Sequence, residues 1–186
     1  MLTYFGFLEE LIQKGFVPRT QGCSVEEINT LEELIQAPLP KAYYEFLLLA
    51  GKDSPWHNAE AGNFFCGFEY MLNNIPKIVE SYVEMGMDDL EIPHDFIPLW
   101  EHDGFSYIRL YGGENPPVFT FWGGPSAKHF LSNDTFLGYI IKLVQHTLID
   151  YSKFGTETGW SINSKIDISA KKDTMHSWRI LSEKEF

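Results

Sequence analysis

The chain has 186 residues and a formal net charge of −12. With 44% hydrophobic and 16% aromatic residues it can bury one well-formed core, which excludes a disordered chain, and its length would make two domains cramped. No run approaches the roughly 18 apolar residues of a membrane helix, and so acidic a surface repels nucleic acid and attracts cationic partners.

The first five residues, from Met1 to Phe5, lack a basic start and a small-residue cleavage site, so no signal peptide is expected. Cys23 and Cys66 are too few for a disulfide framework and lack metal-site spacing. A single bridge between them stays open, and a reducing cytoplasm suits the chain.

Residues 3–13 are predicted as a first helix, with Phe5, Leu8, Leu11 and Ile12 on one side and Gly15 at its end. Ser24 followed by Glu27 is a capping box for a second helix. Val25, Ile28, Leu31, Leu34 and Ile35 form its apolar stripe, and Pro38 and Pro40 stop it. Pro40 also suits the first turn of a third helix through Tyr43, Tyr44, Phe46 and Leu47, with Gly51 placed for a left-handed cap. These aromatics read as core packing.

Farther on, residues 56–62 read as a loop, 63–68 as a short aromatic strand or two, and 76–85 as a helix. Residues 97–100 are predicted as a strand, His102-Asp103-Gly104 as its turn, and Phe105, Tyr107, Ile108 and Leu110 as the next strand. Gly112 to Pro116 is a second turn and residues 118–122 a third strand, which makes an antiparallel meander. A closing helix follows, capped by Asn133 or Asp134, with Phe136, Tyr139, Ile140, Leu143, Val144 and Leu148 on its apolar face. Residues 152–186 are polar and read as a C-terminal extension with an edge strand near 165–169.

Two stretches carry a family signature: Glu27-Ile28-Asn29-Thr30-Leu31-Glu32, then Leu39-Pro40-Lys41-Ala42-Tyr43-Tyr44-Glu45-Phe46-Leu47 with Gly51. Together with Asp103-Gly104-Phe105-Ser106-Tyr107, Pro117-Val118-Phe119 and the Phe136–Tyr139 helix start, the chain resembles the SMI1/KNR4 family of the SUKH superfamily over roughly residues 20–150. Where members often carry a second glycine after the first, this chain has Lys52. The resemblance implies an α+β domain at residues 1–151, with N-terminal helices packed on an antiparallel sheet and a closing C-terminal helix. Residues 152–186 would pack on or flank it.

For bacterial members the resemblance implies an immunity protein that binds and neutralises the toxin domain of a contact-dependent or polymorphic toxin, often a nuclease. The charge pattern suits this. Between Lys77 and Arg109 there is no Lys or Arg, and the gap holds Glu80, Glu84, Asp88, Asp89, Glu91, Asp95, Glu101 and Asp103. Such a surface can occupy a nuclease's phosphate-binding groove, and the bland alternative is ordinary solubilising charge. The candidate toxin-binding residues are Asp88, Asp89, Glu91, Glu101, Asp103 and Glu114, with Trp56 and Trp122 as anchors or, alternatively, core packing.

Neither a zinc spacing nor a nucleophile or phosphate-loop motif is present, so no catalytic residue, metal or cofactor is expected. The expected partner is a basic toxin domain, without nucleic acid or membrane, the chain itself being a monomer or weak homodimer. A scaffold or regulatory module, as in eukaryotic relatives, is the alternative; those carry long disordered flanks that this chain lacks. A hydrolase would need Glu101, His102 and Asp103 to converge in a pocket.

Overall fold

The computed structural model describes residues 2–15, 17, 20–54, 64–65, 67–73, 75, 95–101, 104–122 and 128–144, with the backbone alone at 64–65, 100–101, 104–105, 122 and 128–130. Helices α1 (Gly6–Gln13), α2 (Val25–Ile35) and α3 (Lys41–Ala50) come first. Strand β1 (Phe64–Phe65), helix α4 at residues 68–73 and strands β2 (Phe96–Glu101), β3 (Gly104–Arg109), β4 (Val118–Trp122) and β5 (Lys128–Asn133) follow. Helix α5, at residues 136–144, comes after the strands. The strands pair antiparallel in the order β1-β2-β3-β4-β5. This is the expected α+β arrangement.

Helix α2 forms as its sequence directs. The Ser24 amide donates to Glu27 Oε2 at 2.8 Å and the Glu27 amide donates to Ser24 Oγ at 3.2 Å, closing both halves of the capping box. Ile28 and Leu31 are buried, but Val25 and Leu34, at the ends of the same stripe, are exposed. Gln36 adopts the left-handed conformation (φ 55°) that ends the helix. The Leu39 amide then donates to Glu32 Oε1 at 2.8 Å, tying the proline-flanked turn back to α2.

Pro40 precedes α3 as its N-cap. Gly51 does not supply the expected left-handed cap, since its φ is −71°. Glycine is required there by crowding instead: a Cβ at position 51 would lie 2.6 Å from Cys23 Sγ and 2.8 Å from the Leu47 carbonyl oxygen. The segment before α2 lies against this same end of α3, where the Cys23 amide donates to Leu47 O at 2.8 Å. Lys52 makes an ion pair with Glu27. The residue standing in place of the family's second glycine thus anchors the carboxylate of the capping box.

Cys23 carries a free, buried thiol. Burial first, then the nearby Glu27 carboxylate, pushes it up to about 12. The thiolate is the reactive form, so at pH 8 native Cys23 holds on the order of 10³-fold less of it than an unfolded cysteine of pKa ~8.5. Alkylation read by mass spectrometry of the Cys23 peptide is expected to be slow in buffer and fast in urea; equal rates would contradict this burial. The unfolded chain releases this proton near pH 8.5 while the native thiol keeps it. The associated stability is therefore complete below that pH and is lost as pH rises towards 12.

Two elements differ from expectation around the sheet. Among the described residues of the anticipated aromatic strand, Phe64 and Phe65 pair with β2, whereas Phe68 opens helix α4, its amide donating to Gly51 O at 2.8 Å. Phe68 and Met71, three residues apart, are both buried, as a helix face requires. Strand β5 is an addition to the expected meander, which passes from the third strand to the closing helix with no further strand between them. That helix is capped by Thr135 rather than Asn133 or Asp134, the Gly138 amide donating to Thr135 Oγ1 at 3.0 Å. The expected helix at 76–85, the loop at 56–62, the turn residues His102 and Asp103, Leu148 and the edge strand near 165–169 lie outside the described residues.

The core lies between the helices and one face of the sheet. Phe5, Tyr43, Phe46 and Phe136 form its aromatic centre, with Phe136 5.5–6.0 Å from the other three rings in edge-on contacts. Ile97, Leu99, Ile108 and Val118 meet them from the sheet.

Candidate interaction surface

The β3–β4 turn is built rigidly. The first amides of a helix have no partner within the helix, and this turn supplies partners for two of them in α5 and one in α3. Ala42 donates to Glu114 O at 2.9 Å and Phe136 to Pro116 O at 2.7 Å. Leu137 donates to Asn115 Oδ1 at 2.9 Å. Gly113 takes φ +94°, which the tight reversal demands and which side chains avoid. Tyr111, 75% exposed, projects beside this reversal.

Glu114 is exposed, yet its carboxylate is already engaged: Tyr4 donates its hydroxyl to Glu114 Oε2 at 3.0 Å. Lys41 Nζ sits 5.9 Å from the centre of the Tyr4 ring. Burial first, and the Glu114 hydrogen bond next, hold the Tyr4 phenol above its ordinary pKa.

At the other end of the sheet, Glu101 closes β2 and Trp122 closes β4. Their backbones are brought to the same end by the pairings Glu101↔Phe105 and Gly104↔Trp122. Glu114 follows the opposite end of β3, about 20 Å away at ~3.4 Å per residue. The candidate residues therefore do not form one patch: Glu101 and Trp122 share one end of the sheet and Glu114 stands at the other. The side chains of Glu101 and Trp122 lie outside the described residues, as do Asp88, Asp89, Glu91, Asp103 and Trp56 entirely.

One carboxylate of the acidic gap is used internally. Arg109 Nε donates to Asp95 Oδ1 at 2.7 Å, and the Leu110 amide donates to the Asp95 carbonyl oxygen at 2.7 Å. The hydrogen bond with Asp95 raises the Arg109 pKa. This pair locks β2 to β3 at the end opposite their connecting turn. Sequence reasoning counted Asp95 with the partner-facing charge; the signal it lacked is register, since Phe96 opposite Arg109 brings Asp95 within reach.

Among the described residues no group of three His, Cys, Asp or Glu side chains could hold a metal ion, and no helix is long and apolar enough to cross a membrane. A family model described as SMI1 / KNR4 family (SUKH-1) matches residues 22–141. No curated protein matches the chain. The matched span runs from the crowded Gly22 into α5, so it takes in α2, α3 and the β3–β4 turn.

Proposed function

Because the chain belongs to the SMI1/KNR4 family (SUKH-1), we propose that it is an immunity protein that captures and neutralises a cationic toxin domain, with a nuclease as the favoured class. The observation that carries this reading is the distribution of charge. Eight carboxylates and no Lys or Arg lie between Lys77 and Arg109, inside a family whose bacterial members resemble immunity proteins. A nuclease presents Lys and Arg to phosphates, and a carboxylate-rich protein competes for that groove while long-range attraction speeds encounter. Asp95 does not take part, since Arg109 already neutralises it. Asp88, Asp89, Glu91, Glu101 and Asp103 remain the proposed contact charges, Glu114 contributes from the far end of the sheet, and Trp56 and Trp122 are the proposed anchors.

The test is association kinetics with candidate basic toxin domains from the same strain, beginning with any that a neighbouring reading frame encodes. Replacing Asp88, Asp89 and Asp103 together by Lys is expected to slow association about tenfold or more at low salt, with a smaller effect on dissociation. Raising the salt should narrow the difference, because exposed charges are screened over a Debye length of ~8 Å at physiological ionic strength. Association indifferent to both salt and charge reversal would remove the electrostatic account.

A further inference from the structure

Both faces of the sheet are apolar. Side chains alternate along a strand, and the register separates them. Ile97, Ile108 and Val118 lie opposite one another on the helix side, whereas Pro98, Tyr107, Phe119 and Leu131 align on the outer side, with Phe96 and Phe121 two residues along. Phe96 meets Tyr107 edge-on at 6.0 Å, and Tyr107 stacks on Phe119 at 5.4 Å. An antiparallel sheet with one wet face places polar residues there; this one places aromatics. Tyr107 is only 3% exposed and Phe121 is fully buried, although among the described residues neither joins the core shared with the helices.

We propose that residues 152–186 of this same chain dock on the aromatic outer face as a second layer. Five strands about 4.8 Å apart make a sheet only ~20 Å wide, which this length of chain can cross more than once even when partly coiled. Trp160, Ile162, Ile166 and Ile168 are spaced by even numbers, so a strand there would present them on one side. Trp178, Ile180 and Leu181 supply further apolar surface.

Charge favours the same occupant. Residues 152–186 hold six Lys or Arg and five Asp or Glu, a net of +1, which leaves −13 of the total −12 on residues 1–151. The extension thus meets an acidic domain without repulsion. The other long stretch outside the described residues, 76–94, has apolar Ile78, Val79, Tyr82 and Val83 but also Glu80, Glu84, Asp88, Asp89 and Glu91, so it would bring like charge to an already acidic domain.

Hydrogen exchange on the intact chain tests the proposal. Peptides covering 160–168 should exchange about tenfold or more slowly than the same synthetic peptide free in solution. Tyr107→Ser and Phe119→Ser, both on the outer face, should erase that protection while peptides from α2 and α3 keep theirs, which also records that the variants fold. Independently, a specific protease site inserted between Tyr151 and Ser152 allows the chain to be cut after folding. The released segment should still travel with the domain in gel filtration. Random-coil exchange across 152–186 in the uncut chain would overturn the proposal. Protection indifferent to both substitutions would do the same, as would a cut segment that leaves while the domain stays monomeric or pairs with a second copy.

Discussion

Gly22→Ala should lower the stability of this protein by about 3 kcal/mol or more, although it adds only one methyl group. A Cβ built at position 22 lies 1.7 Å from the Leu48 carbonyl oxygen and 2.4 Å from its carbon. Both atoms are helix backbone, so no side-chain rotation relieves the overlap. Separation to beyond 3.0 Å, the limit that real Cβ atoms respect, requires the segment before α2 to move off α3. That movement would strain the Cys23–Leu47 hydrogen bond, the Gln21–Asp53 bridge and the Glu27–Lys52 ion pair together. A loss of this size corresponds to a fall in Tm of about 6–12 °C for a chain of this length. Gly6→Ala is the matched control: it lies in the first turn of α1 with open space around its Cβ, and should be neutral or slightly stabilising. Equal melting curves for the two variants would show that the contact between the α2 entry and α3 yields at little cost.

Glu45→Gln should cost about 2–4 kcal/mol, because hydrogen bonds to a charged partner contribute about 1.5–3 kcal/mol each in net terms and do not simply add. Glu45 is only 5% exposed, on a helix otherwise devoted to packing. Its carboxylate accepts from the amides of Thr3 at 2.8 Å, Tyr4 at 2.7 Å and Phe5 at 3.2 Å. Glutamine keeps one carbonyl oxygen but turns an NH₂ group towards amides that also donate. The consequence should be local first: Phe5 is fully buried against Phe46 and Phe136, and it is the Glu45 carboxylate that holds its backbone there. Denaturant unfolding should show the loss of stability, and hydrogen exchange should show residues 2–13 losing protection before α2 and α3. Unchanged protection of that N-terminal segment would refute the role given to Glu45.

Most of the helical layer was legible because its instructions are local. Ser24 and Glu27 are three residues apart, and a capping box needs nothing else. Proline at 38 and 40 excludes a continuous helix whatever surrounds it. Strand β4 was legible for a similar reason, as an aromatic run bounded by Pro117 and Gly123. Strand β5 was not, because residues 128–133 pair only once β4 is present to receive them, and their own pattern names no partner. Gly51 was assigned the right position but the wrong reason: its need for hydrogen in place of Cβ comes from Cys23, a residue far away in sequence.

The candidate interaction residues were harder to place than the fold. Composition supplied a sum of charge, and a sum carries no direction. The sheet register divides the proposed residues between two ends, with Glu101 and Trp122 at one and Glu114 at the other. Tyr111, which sequence reasoning passed over, is the exposed aromatic on the rigid turn, and its only signal was its place before Gly112-Gly113.

By itself the sequence determined the capping box of α2, the proline break before α3, the α+β class and the family, since each depends on residues close together in the chain or on motifs in fixed order. Only the tertiary structure decided which carboxylates are spoken for. Glu45 is bound to amides 40–42 residues away and Asp95 to Arg109 across a strand pair, whereas Glu114, although it accepts from a phenol 110 residues away, stays exposed and charged. Acidity written along the chain therefore overstates the charge available to a partner. A carboxylate's availability depends on what the fold sets beside it, and that neighbour is chosen by packing and register rather than by sequence distance.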